Sequence, residues 1–193
     1  MKRNHIIQWI INTRQYKSYL EIGVWNGRNF NSINIDRKVS VDPLHHPTYR
    51  MTSDTFFNQN KDIFDLIFID GLHYDYQVLR DIENSLGCLS NKGLILVHDC
   101  LPTCEAAQLK KQTHIRSGWN GDCWKAFAYL RATRTDLAMF TIARDQGIGV
   151  IIPNSIQVCY EGPYDTYQDF VNNKQDMMNI CGFRTAGKII KML

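Results

Sequence analysis

The sequence predicts an α/β protein: a doubly wound, seven-stranded, mostly parallel sheet with helices on both faces and an antiparallel hairpin near its C-terminal end. Three observations predict it. Short runs such as Phe64–Ile69, interrupted only by Asp65, and Gly93–Val97 are apolar rather than alternating, as expected of strands covered on both faces. Strand-like and helix-like segments alternate at the spacing of βαβ units. Finally, Asp136–Ala143 and Gly147–Ile152 are joined by the tight turn Arg144-Asp-Gln-Gly147, which requires one strand to oppose the parallel set.

In chain order, Ile6, Ile7, Ile10 and Ile11 recur at helical spacing and predict an amphipathic helix over 4–15. Ser18–Ile22 reads as a buried strand ended by the turn Gly23-Val-Trp-Asn-Gly27, and a short helix follows. Lys38–Asp42 is a second strand, closed by Pro43, and Phe64–Ile69 a third. From Tyr74, apolar residues at Val78, Ile82, Leu86 and Leu89 predict a long helix before the strand 93–98. Residues 100–121 read as irregular, Asp122 as the cap of a helix from Trp124 to Thr133, and the tail beyond Pro163 as one or two packed helices. The expected organisation is one domain over 1–193: an N-terminal helix to residue 17, a sheet core over 18–153 and a helical tail over 154–193.

Composition excludes several classes. The net charge of +3 on 193 residues, with lysines and arginines scattered, argues against a nucleic-acid partner. No apolar run is long enough to span a bilayer and the amphipathic start is unlike a signal peptide, so the expected compartment is the cytoplasm. Six cysteines without paired spacing are expected to be reduced and mostly buried rather than to hold zinc.

In open α/β sheets the ligand lies beyond the carboxyl ends of the strands. There the sequence places Glu21-Ile-Gly23-Val-Trp-Asn-Gly27 after the first strand and Asp42 after the second. Gly23 and Gly27 allow a sharp turn and close backbone approach, and the Asp42 carboxylate can accept hydrogen bonds from ribose hydroxyls. Either feature alone could be only a turn. A dinucleotide site would need a third glycine for the pyrophosphate, and the acidic Glu21 disfavours one while suiting a cationic amino-acid ligand. A nicotinamide oxidoreductase is therefore disfavoured.

At these residues, and through Asp42, Thr52-Ser53-Asp54 and Phe64-Asp-Leu-Ile-Phe-Ile-Asp-Gly71, the sequence resembles the Glu/Asp-x-Gly-x-x-x-Gly pattern of class I, Rossmann-like S-adenosylmethionine-dependent methyltransferases. The resemblance covers roughly 16–153. It implies S-adenosylmethionine as cofactor, with Gly23 and neighbouring backbone at its methionine part, Asp42 at the ribose, Ser53 near the adenine, and Glu21, Gly27 and Asp70 also in the cofactor site. Ser53 could instead cap the helix that carries Phe56 and Phe57.

A second constellation is Asp70, His73, His98 and Asp99. Asp70 and His98-Asp99 end adjacent strands, so their side chains should converge, and such ligands suit an octahedral Mg²⁺ or Mn²⁺. The arrangement resembles bacterial O-methyltransferases of sugars and antibiotic precursors, which implies metal ligation by Asp70, His98 and Asp99 and a hydroxyl-bearing acceptor, a sugar or glycan among the candidates. It also resembles, more distantly, catechol-type O-methyltransferases; in these enzymes an acid after the fourth strand and an acidic pair after the fifth hold Mg²⁺, whereas here the pair is His98-Asp99. His98 packed in the core and Asp99 capping a turn is the alternative. His73 is the candidate base and Asp70 its companion in the catalytic set, against an ordinary polar residue at a helix start. The loop Gly118-Trp119-Asn120-Gly121-Asp122 could cover an acceptor or pin itself to the domain. A non-catalytic subunit of the same fold is the competing function.

Overall fold

The computed structural model describes residues 1–112 and 118–193; part of the expected irregular stretch 100–121 lies outside them. Seven strands form one sheet: β1 (Ser18–Ile22), β2 (Arg37–Val41), β3 (Phe64–Ile69), β4 (Leu89–Val97), β5 (Leu137–Ile142), β6 (Ile148–Pro153) and β7 (Ile180–Cys181). Their order is β2-β1-β3-β4-β6-β5-β7. Neighbours from β2 to β4 pair in parallel, β6 is antiparallel to both β4 and β5, and β7 runs parallel to β5. Among the described strands, β6 alone is reversed. Beyond β2 there is only an isolated parallel bridge between Val41 and Tyr49.

The continuous apolar runs have the predicted cause. Every residue of β1 is buried, as are the last four of β3 and the last five of β4. Side chains alternate between two layers. Leu20, Ile22, Ile67, Ile69, Ile95 and Val97 pack with Val78, Ile82, Trp124 and Phe127, which sit on the helices α4 (Asp75–Leu86) and α5 (Cys123–Thr133). Tyr19, Leu66, Phe68, Leu96 and Val150 pack on the opposite face with Ile6, Ile7, Ile10 and Ile190, from the first helix, α1 (Arg3–Arg14), and the last, α7 (Phe183–Met192). Three helices complete the set: α2 (Arg28–Ser32), α3 (Ser53–Gln59) and α6 (Tyr167–Met177). No helix among the described residues is long and apolar enough to cross a membrane.

Four local expectations are corrected. The helix from Tyr74 does not reach Leu89: it ends at Leu86, with Gly87 as its C-cap, and Leu89 opens β4 by pairing with Phe64. The seventh strand is a two-residue edge within the tail that the sequence had suggested was wholly helical. Asp122 stands at the N-cap position of α5 without a capping hydrogen bond, because its Oδ1 accepts the Asp75 amide instead (2.8 Å). The cysteines are all free, but only Cys88, Cys100 and Cys123 are buried.

Candidate active site

A cleft of about 630 Å³ opens where the carboxyl ends of the four parallel strands meet. One end is made by the loops after β1 and β2. Gly23 has φ +86°, and a Cβ there would lie 2.1 Å from the carbonyl oxygen of Asp70. Only glycine lets β1 turn away while its backbone rests against the end of β3, and the same bare backbone lines the cleft. This cradle, which a side chain would fill, suits a ligand brought close to main chain.

Asp42 also lines the cleft, but its carboxylate is engaged. One oxygen accepts the amides of Val24 (2.9 Å) and Trp25 (3.3 Å), the other those of Leu44 (2.8 Å) and His45 (3.0 Å). Burial would raise its pKa; the four amides outweigh that and hold it below the usual carboxylate range. Four donors use the acceptor capacity of one carboxylate, so Asp42 folds two loops into a wall. One product is Trp25, held in the left-handed region (φ 45°) with its side chain on the cleft and 71% exposed.

Ser53 lies on the cleft as the first residue of α3. The cap is Thr52, whose hydroxyl accepts the Thr55 amide, so the capping alternative for Ser53 is corrected. Ser53 instead meets Gln77, whose Nε2 also reaches Asp54 and the buried Asp81.

Glu21 and Gly27 are not on the cleft wall. Gly27 is the left-handed N-cap of α2. Glu21 shares the Tyr19 face of β1 and is 1% exposed, its carboxylate accepting from Tyr19 Oη (2.6 Å) and Asn29 Nδ2 (2.8 Å). Burial, only partly offset by these bonds, pushes its pKa up to about 7. The side chain expected to face a cationic ligand is turned into the layer behind.

The other end gathers Asp70, His73, His98 and Asp99. His73 Nε2 is 3.5 Å from Asp70 Oδ1 and its Nδ1 is 3.3 Å from Asp99 Oδ2. His98 Nδ1 lies 3.3 Å from Asp70 Oδ1 and 3.1 Å from Asp99 Oδ2. Burial would discharge His98, but Asp70 and Asp99 outweigh it and raise its pKa to about 10. Against its own burial, His73 is likewise raised by Asp70 and Asp99. Asp70 is held far below the carboxylate range, burial being outweighed by His98, His73 and Arg3.

His98 Nδ1 is already shared among Asp70, Asp99 and Arg3 Nη1 (3.1 Å). One donor atom each from Asp70, His73 and Asp99 lies within 4.8 Å of the others, and His73 Nδ1 is buried without a hydrogen-bond partner. Two carboxylates and an imidazole fit a small divalent cation. The geometric ligand set is thus Asp70, His73 and Asp99, differing from the expected one at His98.

Sequence reasoning missed one support of this end, Arg3, and named the loop 118–122 without its contacts. Arg3 donates through Nη1 to Asp70 Oδ2, and its backbone amide donates to Asp145 Oδ2 (2.6 Å). Asn120 Nδ2 donates to Asp99 Oδ1 (3.1 Å). The Trp119 ring stacks on His73 at 4.8 Å and 8°, while its indole N–H donates to the Leu109 carbonyl (2.6 Å). Gly121 presses so close that a Cβ would lie 2.1 Å from the His73 carbonyl oxygen. The loop 118–122 therefore both borders the cleft and pins itself, with His73 as the point of contact.

The profile of a family described as a methyltransferase domain matches residues 30–100. No curated protein matches the chain. Solved structures do. An SAH-bound methyltransferase from Podospora anserina, PaMTH1, has a TM-score of 0.55 at 20% identity, covering 75% of this chain and 76% of that one. The O-methyltransferase TomG from Streptomyces achromogenes, involved in tomaymycin synthesis and solved with SAM, gives 0.57 at 13% identity, covering 79% and 80%. An O-methyltransferase from Bacillus cereus in complex with SAH gives 0.54 at 14%, covering 78% and 80%. The chain thus shares its fold with these solved methyltransferases, and residues 30–100 match the sequence pattern of a methyltransferase domain.

Proposed function

We propose that this protein transfers the methyl group of S-adenosylmethionine to a hydroxyl oxygen of a sugar, glycan or small molecule in the cytoplasm. The observation that carries the reading is the joining, in one cleft, of the bare Gly23 backbone with the Asp70–His73–Asp99 group. The acceptor oxygen attacks the sulfonium methyl carbon; the C–O bond forms as the C–S bond breaks, and sulfur keeps the electron pair as S-adenosylhomocysteine. The hydroxyl proton goes to His73, which Asp99 and Asp70 orient from either side and Trp119 holds flat. An imidazole in this role contributes about a hundred- to ten-thousandfold. The exposed side chains of Trp25, Leu44 and Leu72 on the cleft support an acceptor that is large or open to solvent.

A second reading gives Asp70, His73 and Asp99 to Mg²⁺ or Mn²⁺, favoured by their convergence. Such a cation supplies Lewis acidity that lowers the pKa of a hydroxyl. The same His73 nitrogen cannot serve both uses. Titration calorimetry with S-adenosylhomocysteine and NAD tests the cofactor: the first is expected to bind and the second not, and the reverse overturns the assignment. Methyl transfer to a panel of sugars and phenols, with and without EDTA, then separates the two uses of His73. Cofactor binding without transfer to any acceptor would favour the non-catalytic subunit.

A further inference from the structure

We propose that the Arg3–Asp70 ion pair reads the amino-acid end of the cofactor, the Arg3 guanidinium taking the α-carboxylate and Asp70 Oδ2 the α-ammonium. This rests on the methyltransferase reading and adds to it a residue that lies outside every motif of the sheet.

A free α-amino acid end carries one positive and one negative charge on the same carbon, so a site for it must present both signs side by side. The carboxylate is the harder of the two to place here. The cleft is lined by Asp42, Asp54, Asp70 and Asp99, and among the described residues Arg3 is the one lysine or arginine on its wall. A carboxylate is repelled by most of the polar wall and attracted at Arg3, where a guanidinium can grip it through two parallel N–H bonds.

Position agrees with charge. Arg3 lines the same cleft as Gly23, the residue whose missing side chain opens the wall beside Asp70. Its side chain is 30% exposed, reachable but not free. Two anchors keep it there: its amide donates to Asp145 Oδ2, and its Nε lies 3.6 Å from the same oxygen. Asp145 is in the left-handed region (φ 48°), which turns the β5–β6 connection toward α1. The two oxygens of Asp70 divide the work: Oδ1 faces His73 and His98, and Oδ2 faces Arg3. When a zwitterion enters, two charges become four in alternation and no charge is left unpaired. A lone guanidinium or a lone carboxylate could not achieve that balance.

The test is a cycle on the 193-residue chain using two ligands that differ only in the group concerned: S-adenosylhomocysteine and its decarboxylated analogue, S-adenosyl-3-thiopropylamine. Calorimetric affinities are measured for the wild type, Arg3→Gln and Arg3→Lys, with thermal unfolding to confirm folding. Wild type is expected to prefer S-adenosylhomocysteine by about ten- to a hundredfold, the range of a charge-assisted hydrogen bond. Arg3→Gln should lose that preference while binding the analogue within about threefold of wild type, and Arg3→Lys should keep part of it. Equal weakening of both ligands would make Arg3 a structural strut, and an undiminished preference would exclude it; either overturns the proposal. If the wild type binds neither ligand, the methyltransferase reading falls and takes this inference with it.

Discussion

At the Gly23–Asp42 end of the cleft, the carboxylate is matched by four amides and the turn is set by a glycine that nothing else could replace. At the Asp70–His98 end, two aspartates, two histidines and an arginine crowd within about 4 Å of one another's charged atoms, and His73 Nδ1 and His98 Nε2 are left without hydrogen-bond partners. The first end is finished before any ligand arrives. The second stores titratable charge that a ligand or proton can rearrange. A rigid wall facing a responsive one is what group transfer requires: one part fixes the donor while the other manages the proton.

The sharpest way to break this comparison is His73→Ala. It should cut kcat by about a hundred- to ten-thousandfold while leaving S-adenosylhomocysteine affinity nearly unchanged; a loss under about threefold would make His73 a bystander. The pH profile carries a sign. Because Asp70 and Asp99 raise the His73 pKa despite burial, the rate should rise with pH through an apparent pKa above the ordinary histidine value of about 6.5. A profile that levels off below that value would exclude this electrostatic arrangement, or reveal a cation at the site.

Next in size is Gly23→Ala. The added Cβ meets backbone, not a side chain that could move aside, and the residue sits at φ +86°. A cost of about 2–4 kcal/mol in unfolding free energy is expected, with cofactor affinity reduced as β1 and β3 part. Asp42→Asn comes third, at about 1–3 kcal/mol. If Asp42 is chiefly a loop organiser, that loss appears in denaturant unfolding of the free protein as well as in binding; loss in binding alone would make it a ribose contact and nothing more.

The smallest effect, Glu21→Gln, goes the other way. Glu21 has a folded pKa of about 7, above the carboxylate value of the unfolded chain. The native state therefore binds more protons over that window, and stability falls as pH rises through it. Glutamine removes the fall and should stabilise the protein by about 1–2 kcal/mol at pH 8, with little change at pH 4. Equal stabilisation at both pH values would locate the effect in packing instead of charge.

The parallel half of the sheet was legible because doubly covered strands are largely apolar, as the buried ends of β3 and β4 are, although β1 carries Ser18 and Glu21 and β3 carries Asp65. The convergence of Asp70, His73 and Asp99 was legible for a topological reason: residues that end adjacent parallel strands share one edge. Less was readable where geometry depends on direction or distance. Glu21 was assigned to the right turn but the wrong layer, since side chains alternate along a strand and Ile22, not Glu21, shares the cleft side. Leu89 continued a helical apolar series that Gly87 had already ended. A two-residue strand at 180–181 has no periodicity to detect. Arg3 meets Asp70 across 67 positions of chain, and nothing local marks it.

The reversal of β6 has a consequence for how such a site can change. In the parallel half, each loop at the cleft leads into a helix that must return across the sheet, so altering it disturbs packing far away. Because β6 runs backwards, the five-residue connection Ala143–Gly147 comes to the same edge with no crossover attached, bringing Asp145 to Arg3 and Gln146 to the cleft. That connection is a replaceable tip on a permanent handle. Exchanging Gln146 for another residue that tolerates the left-handed region would rewrite one side of the pocket and leave the sheet, both helix layers and the cradle at Gly23 as they are.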